Sequence, residues 1–337
     1  MKAFLLAAGR GLRFRPVTER MPKALLPFLN VPLARAHLAR LFQQGVREAG
    51  VNLHHLGRQV ESCLRDRGAD LPDLTFFHEE PILGTAGALR NAAGWLGPED
   101  FLLLNCDAAV EVDIAVLAAA HRATGSEATL LVVENREPRR YTPLQAEGNL
   151  ITRFGGEVRQ PLLYTGVAVM SGRLLSRIPP GETSLVADLW QPMLERGEKI
   201  GILRHRGAFC DLGRPGDFLR ASLEALARGG PFPAGSGAFD SARRVLSAGS
   251  VEDRDVCDSV IGNARLGFGS RVAASAVWDG VELGGGVALE RCIAAGGRVP
   301  EGARYADSLL WPGADGIAVP HQLDPSIHGF HSDSPSL

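Results

Sequence analysis

Short apolar runs alternate with amphipathic stretches through the first 228 residues. Lys2–Ala8 is an apolar run that stops at Gly9, the form of a buried strand. Leu33–Gln44 carries Leu33, Ala34, His37, Leu38, Leu41 and Phe42 at helical spacing, which predicts a helix. Gly50–His54 and Leu74–His78 predict two further strands, and Thr85–Leu96 a helix that starts just past Gly84. Phe101–Asn105 is a dense apolar strand running to Asp107. Ile114–Ala123 is helical, and Ala128–Val133 is another strand. A helix over Asp217–Arg228, with Phe218, Leu219, Ser222, Leu223 and Leu226 on one face, closes the region. Strands alternating with helices predict an α/β domain with a mostly parallel sheet covered on both faces. In such sheets ligands bind beyond the carboxyl ends of the strands. Gly11, Gly84 and Asp107 all lie just beyond predicted strands, so they are expected to converge.

The pattern then changes. Residues 229–237 read GGPFPAGSG, and a linker is predicted over 229–242. From 243 to 312 apolar residues recur every six: Val260, Leu266, Val272, then Val281, Val287, Ile293 and Val299. Period six implies three short sides per coil of a β-helix, roughly 18 residues a coil. About three coils fit, and the phase slip at Ser275–Gly280 predicts an inserted bulge. Residues 313–337 are polar and aperiodic, which predicts a tail carrying His321, His328 and His331.

Composition narrows the function classes. The formal net charge is −2, so no basic footprint points to nucleic acid. The leading apolar run, Ala3–Ala8, is shorter than a spanning helix or a signal-peptide core requires, and no membrane association is expected. Cys63, Cys106, Cys210, Cys257 and Cys292 are odd in number and far apart, without a C-x-x-C pair. That spacing argues against zinc and a disulfide framework, and for a reducing, cytoplasmic location.

The candidate chemistry starts at Leu6-Ala7-Ala8-Gly9-Arg10-Gly11, where the first strand runs into a Gly-rich loop. Small residues let backbone N–H groups approach phosphate oxygens. Arg13, Arg15 and Lys23 add positive charge. Two standard phosphate loops are excluded. A dinucleotide loop needs a third glycine where Phe14 stands, and no acidic residue ends the next strand, which closes Asn52-Leu53-His54-His55. The Walker A pattern is absent.

The segment Gly9–Lys23 resembles the signature of the sugar-1-phosphate nucleotidyltransferases, roughly G-x-G-[TS]-R-[LM]-x-P-[LM]-T-x-x-x-P-K. It matches at Gly9, Gly11, Arg13, Pro16, Thr18, Pro22 and Lys23, and departs at Leu12, where the family has Thr or Ser. Glu79-Glu80-Pro81-Ile82-Leu83-Gly84-Thr85-Ala86-Gly87-Ala88 is similar to the family's nucleobase segment. Leu104-Asn105-Cys106-Asp107 resembles N-x-D, Tyr164-Thr165-Gly166-Val167 the sugar-contacting Y-x-G, and Phe209–Pro215 the W-x-D-x-G-[TR]-P segment. The resemblance covers residues 1–228, and the hexads resemble the left-handed β-helix that many members append. It implies a Rossmann-like nucleotidyltransferase domain followed by a short left-handed β-helix.

The resemblance also implies roles. Arg13, Lys23, Asp107 and Asp211 are the catalytic candidates, with Asp107 and Asp211 holding Mg²⁺. Leu6, Ala7, Ala8, Gly9, Arg10, Gly11, Arg13, Glu80, Gly84 and Thr85 are the nucleotide-binding candidates, and Asn105, Tyr164, Thr165 and Gly166 the sugar-binding ones. The family's Glu-Lys-Pro is missing. Phe154–Pro161 contains no Lys, leaving Arg153 or Arg159 as substitutes. The implied substrates are an NTP and a sugar-1-phosphate, nearest to GTP and mannose-1-phosphate. Glucose-1-phosphate, heptose-1-phosphate and amino-sugar specificities stay open, as does a non-catalytic nucleotide-sugar binder. The β-helix is expected either to pack on the catalytic domain or to build a homo-oligomer interface.

The residues carry plainer alternatives. Asp107 could cap the following helix and Asp211 a turn before Pro215. Arg15 could be a solvated charge and Tyr164 core packing. Cys106 and Cys210 read as small buried residues, and His54-His55 as structural.

Overall fold

The structure, a computed structural model, describes residues 1–66, 70–228, 236–249, 251 and 254–323. Contacts divide the chain into two compact units. One comprises Met1–Arg10 and His37–Phe209, the other Gly11–Ala36 and Cys210–Leu337. The sequence boundary at 228 therefore lies inside the second unit, and the Gly-rich loop passes from one unit to the other at Arg10–Gly11.

The first unit is built on a nine-stranded sheet. Its order is Asp73–His78, Glu48–Leu53, Ala3–Leu6, Asp100–Asn105, Leu162–Ser171, Ala128–Glu134, Gly201–Arg204, Leu150–Phe154 and Leu144–Glu147. The first four run parallel. Leu162–Ser171 and Leu150–Phe154 are the strands that reverse. Cross-strand partners form a row: Gly50, Phe4, Leu103, Ala168, Leu130 and Ile202. All but Gly50 belong to one buried cluster with Trp190. Gly50 is small for a reason, since a Cβ there would lie 2.7 Å from the Phe4 ring. Burial on both faces accounts for continuous apolar runs in place of alternation.

Helices form at Leu33–Gln43, Gly57–Arg65, Gly84–Asn91 and Ile114–Thr124. The stretch predicted as one helix to Leu96 breaks at Ala92 and resumes as Ala93–Leu96. Gly57–Arg65 and the sheet strands Leu144–Glu147, Leu150–Phe154, Leu162–Ser171 and Gly201–Arg204 lie outside the predicted elements.

In the second unit, Pro215–Ala227 is helical, with Pro at its first turn where the missing N–H costs nothing. Its Phe218 meets the rings of Phe14, Phe28 and Trp278 edge-on, with centroids 5.6, 5.6 and 5.9 Å away. Three stacked sheets follow. One takes Asp255–Cys257, Arg271–Ala273, Ala288–Glu290 and Arg304–Ala306, and another Arg265–Leu266, Glu282–Leu283 and Arg298–Val299. Neighbouring coils pair in parallel through Val256, Val272, Leu289 and Tyr305, which sets coil lengths of 16 or 17 residues rather than 18. Each coil carries a shortened side. The corner residues Asp258, Ala274, Arg291 and Asp307 have positive φ, which turns the chain tightly. Ala276–Val277 is a regular strand of the stack, and the insertion expected at Ser275–Gly280 amounts to one residue just after it: partners lie 16 apart at Val260–Ala276 and 17 apart at Arg265–Glu282. Each corner is followed by Ser259, Ser275, Cys292 or Ser308. The serine hydroxyls donate across the turn to the carbonyls of Cys257, Ala273 and Ala306 at 2.6–2.7 Å.

Two boundaries differ from expectation. Ala238–Asp240, assigned to the linker, is a strand antiparallel to Val245–Ser247. Ala318–Gln322, assigned to the tail, is a strand antiparallel to Ser308–Pro312 and includes His321. Residues 229–235 and 324–337, with His328 and His331, lie outside the described residues. Among the described residues no helix is long and apolar enough to cross a membrane.

Candidate functional site

In the first unit, the strand Ala3–Leu6 ends half-buried at Leu6. Ala7 and Ala8 are buried, whereas Gly9 and Arg10 are exposed. The Ala7 N–H donates to Asn52 Oδ1 at 2.7 Å. In the second unit, Gly11 has φ +61°, and a Cβ there would lie 2.8 Å from Thr18 Cγ2. Glycine lets the loop fold back so that the Thr18 hydroxyl donates to the Gly11 carbonyl at 2.8 Å. Three single 3₁₀ turns, Leu12–Phe14, Val17–Glu19 and Lys23–Leu25, carry the charges. Leu12 and Arg13 point to solvent, Lys23 is half-buried, and Arg15 is exposed 3.7 Å from Glu19.

Gly84 has φ +72°, and a Cβ would sit 2.4 Å from the Thr183 carbonyl oxygen. That contact lets the segment be clamped. Ala86 N donates to Thr183 O, Thr183 N to Leu83 O, and Leu185 N to the Thr85 hydroxyl, each at 2.9 Å. The Thr85 side chain is thus held by its own unit, leaving backbone groups for a ligand. Glu80 is exposed, while its neighbour Glu79 is buried and accepts hydrogen bonds from Asn52 and from the Leu83 N–H.

Asp107 follows the strand Asp100–Asn105 on a turn that the helix Leu33–Gln43 and its extension hold from one face. Neutral His37 donates from Nε2 to the Cys106 carbonyl at 3.0 Å. Arg40 donates to Val110 O and Val112 O, and Gln44 to Val112 O while accepting from Ile114 N. Burial, and then the Arg40 charge, press the His37 imidazole down to about 4, against the pull of the Cys106 hydrogen bond and Asp107. The capping alternative for Asp107 fails, because Asp113 caps the helix Ile114–Thr124. Asn105 lies against Gly166, where a Cβ would come within 2.9 Å. The Thr165 hydroxyl donates inward to Leu131 O. Tyr164 packs edge-on against Trp190 at 5.2 Å, with a hydroxyl sealed from solvent and unpartnered among the described residues. Burial pushes that phenol up. The Tyr164 and Thr165 side chains are therefore core groups, and of this set Asn105 and Gly166 are brought together.

In the second unit, Asp211 Oδ1 accepts from the Gly213 N–H at 2.8 Å. A Cβ at Gly213 would lie 2.6 Å from the Arg13 guanidinium and 2.7 Å from Asp211 Oδ1, so this glycine keeps the two charges side by side. Among the described residues no three His, Cys, Asp or Glu side chains form a metal cage. Two hard carboxylates are the donor set that suits Mg²⁺, which keeps water and phosphate as its other ligands. Cys106 is buried, and burial with Glu224 pushes the Cys210 thiol up to about 11, so both are unreactive. His54 donates from Nδ1 to Glu79 O.

Arg153 donates to the Gly155 carbonyl of its own turn. Arg159 instead lines a polar cavity of about 500 Å³ with Gln145, Gln160 and Arg204. Of the two substitutes for the missing Lys, Arg159 has the open setting. Asn52, Glu79, His37, Arg40 and Gln44 were not singled out for the site. Their signal was available: Asn52 interrupts an apolar strand and His37 occupies an apolar helical position, and polar groups at buried positions need partners.

Residues 2–158 match the family model described as nucleotidyl transferase. The "Probable mannose-1-phosphate guanylyltransferase 1" of Oryza sativa subsp. japonica is 30% identical over 326 residues, covering 92% of this chain and 86% of that one. The "Mannose-1-phosphate guanylyltransferase" of Mycobacterium tuberculosis is 28% identical over 305 residues, 86% and 83% of the two chains. Against the Xenopus laevis "Mannose-1-phosphate guanyltransferase beta-B", 30% identical, 65% of this chain spans 63% of the relative. Among solved structures, a putative glucose-1-phosphate thymidylyltransferase from Bacillus anthracis superposes with TM-score 0.59 at 22% identity, over 70% of this chain and 98% of that one. HddC from Yersinia pseudotuberculosis, complexed with GMP-PN, gives 0.57 at 22%, over 66% and 98%. Fold and matches together define an α/β nucleotidyltransferase. The chain belongs to the sugar-1-phosphate nucleotidyltransferase family, and it is an enzyme of that class.

Proposed function

We propose that the protein transfers a guanylyl group from GTP to mannose-1-phosphate, giving GDP-mannose and pyrophosphate, with Mg²⁺ as cofactor. The observation that carries this reading is a relative at 30% identity, named a probable mannose-1-phosphate guanylyltransferase, matched over 92% of this chain and so across both units. A sugar-phosphate oxygen attacks the α-phosphorus in line, the bond to the β-phosphate oxygen breaks, and pyrophosphate leaves. The nucleophile is already an anion, so no general base is required. The barrier is largely the approach of like charges, ~1 kcal/mol per pair at 4 Å even in water. Positioning and neutralisation are then the chemistry.

Arg13 neutralises the leaving pyrophosphate and Lys23 the α-phosphate. Backbone N–H groups of Ala8–Gly11 hold the phosphate chain. Gly84 and Thr85 contact the base through backbone groups, with Glu80 at its edge, and Asn105 and Gly166 border the sugar. Asp107 and Asp211 would hold Mg²⁺, which would supply further neutralisation of the phosphates. Arg159 takes the place of the family's lysine, a role its polar cavity supports. The C-terminal coils, read as left-handed, carry contact with a second copy. Phe268, 87% exposed on a coil corner, supports that use. The odd number and wide spacing of the cysteines, without a C-x-x-C pair, support a cytoplasmic setting.

The test is pyrophosphate release with Mg²⁺ over a grid of four NTPs against several sugar-1-phosphates. GTP with mannose-1-phosphate is expected to dominate. A different dominant cell replaces the substrates and keeps the reaction. A blank grid, with nucleotide sugars still raising the melting temperature, replaces the enzyme by a sensor.

A further inference from the structure

Three adjacent parallel strands of the first unit, Ala3–Leu6, Glu48–Leu53 and Asp73–His78, end side by side. A continuous line of hydrogen bonds crosses those ends. Ala7 N–H donates to Asn52 Oδ1 at 2.7 Å, Asn52 Nδ2 donates to Glu79 Oε1 at 2.7 Å, and Leu83 N–H donates to Glu79 Oε2 at 2.9 Å. The backbone of Glu79 is fixed as well, its N–H donating to Leu53 O at 2.8 Å and its carbonyl accepting from His54 at 2.9 Å. Asn52 and Glu79 are 3% and 4% exposed, and among the described residues no Lys or Arg pairs with Glu79. A buried carboxylate is an expensive connector. What it offers over an apolar contact is direction: two acceptors that fix two donors at set positions. The donors at the two ends are backbone groups at the start of the Gly-rich loop and just before Gly84.

We propose that Asn52 and Glu79 are positioning residues for the nucleotide: together they set the separation between the phosphate loop and the base segment. The inference rests on the functional reading above, which assigns those two segments to the NTP. Neither side chain needs to touch the ligand. The relay has a polarity that can be inverted. In Glu79→Gln the new amide turns N–H groups toward a donor. In Asn52→Asp a second carboxylate faces Glu79. In N52D/E79Q the pattern is complementary again, with the carboxylate at 52 accepting from Ala7 N and from the amide at 79, whose oxygen accepts from Leu83 N.

The experiment measures KM for GTP and for the sugar-1-phosphate in the wild type, both single variants and the double variant. Each single substitution is expected to raise the KM for GTP about tenfold or more and leave the sugar-1-phosphate KM within about twofold. The double variant is expected to return to within about threefold of wild type. Should a single variant fail to fold, recovery of folding and of GTP affinity in the double variant reads the same complementarity. Singles with an unmoved KM for GTP, both KM values rising together, or a double variant no better than the worse single overturn the proposal. Calorimetric binding of GTP to the same four proteins separates this from the reaction itself. A wild type without turnover sinks the functional reading, and the relay then stands on the same pattern in Kd or falls if wild type does not bind GTP.

Discussion

The two units hold their candidate residues by different means. In the first, site residues hang on buried polar connections: His37, Arg40 and Gln44 pin the Asp107 turn, and Asn52 with Glu79 joins Ala7 to Leu83. In the second, Arg13 and Lys23 sit on single turns and Asp211 ends the short strand Phe209–Asp211, with Gly11 and Gly213 shaping the chain beside them and Arg13 in solvent. Buried hydrogen bonds leave large penalties when one partner is lost. Exposed charges on turns cost little to remove. The lesson is that disturbing the first set changes stability and affinity together, whereas disturbing the second changes rate with the fold intact.

The sharpest way to break this contrast is Asp107→Ala or Asp211→Ala. Turnover should fall at least ~10³-fold with the melting temperature within about 2 °C. Near-wild-type turnover in either variant removes that residue from the metal assignment. Gly84→Ala comes next, because positive φ and a backbone clash with Thr183 cannot both relax. It should cost about 2–4 kcal/mol in urea unfolding, and a loss under 1 kcal/mol contradicts the clamp. Gly213→Ala meets only the flexible end of Arg13 and one carboxylate oxygen, so kcat should drop ~10–100-fold with little change in stability.

His37 gives a pH signature for the first unit. Its folded value of about 4 lies below the ordinary 6.5, so the unfolded chain binds the proton first. Stability is full above pH 6.5 and is lost as pH falls toward 4, by on the order of 2 kcal/mol for this half-buried group. Urea midpoints between pH 4 and 7 should show that slope, and His37→Gln should flatten it. The smallest effect is expected for Leu12→Thr. Leu12 is exposed on its turn, so stability should shift by less than about 0.5 kcal/mol. A restored hydroxyl should lower the KM for GTP about two- to threefold.

Much of this was legible in the sequence, and the failures have physical causes. The alternation through Glu134 gave way to structure with boundaries close to the predicted ones, because buried parallel strands are long apolar runs. Leu144–Glu147 and Leu150–Phe154 escaped, being short strands with mixed faces at one end of the sheet. The coil period was overestimated because three-sided symmetry hides a corner closed by Ala274 or Arg291 in positive φ. Tyr164 and Thr165 matched a motif, yet a bulge between Tyr164 and Ala168 directs their polar atoms inward. Glu79 and Glu80 could not be ranked from adjacency alone; only burial separates them.

A stack of parallel coils has no natural length, since each layer presents to the next the same unfilled backbone donors and acceptors. Here the longest sheet of the stack begins with Ala238–Asp240 and ends with Ala318–Gln322, and both run against their neighbours. A reversed strand cannot serve as the template for another layer in the parallel register. The two terminal strands therefore make the array finite, turning a geometry capable of fibre growth into a closed module.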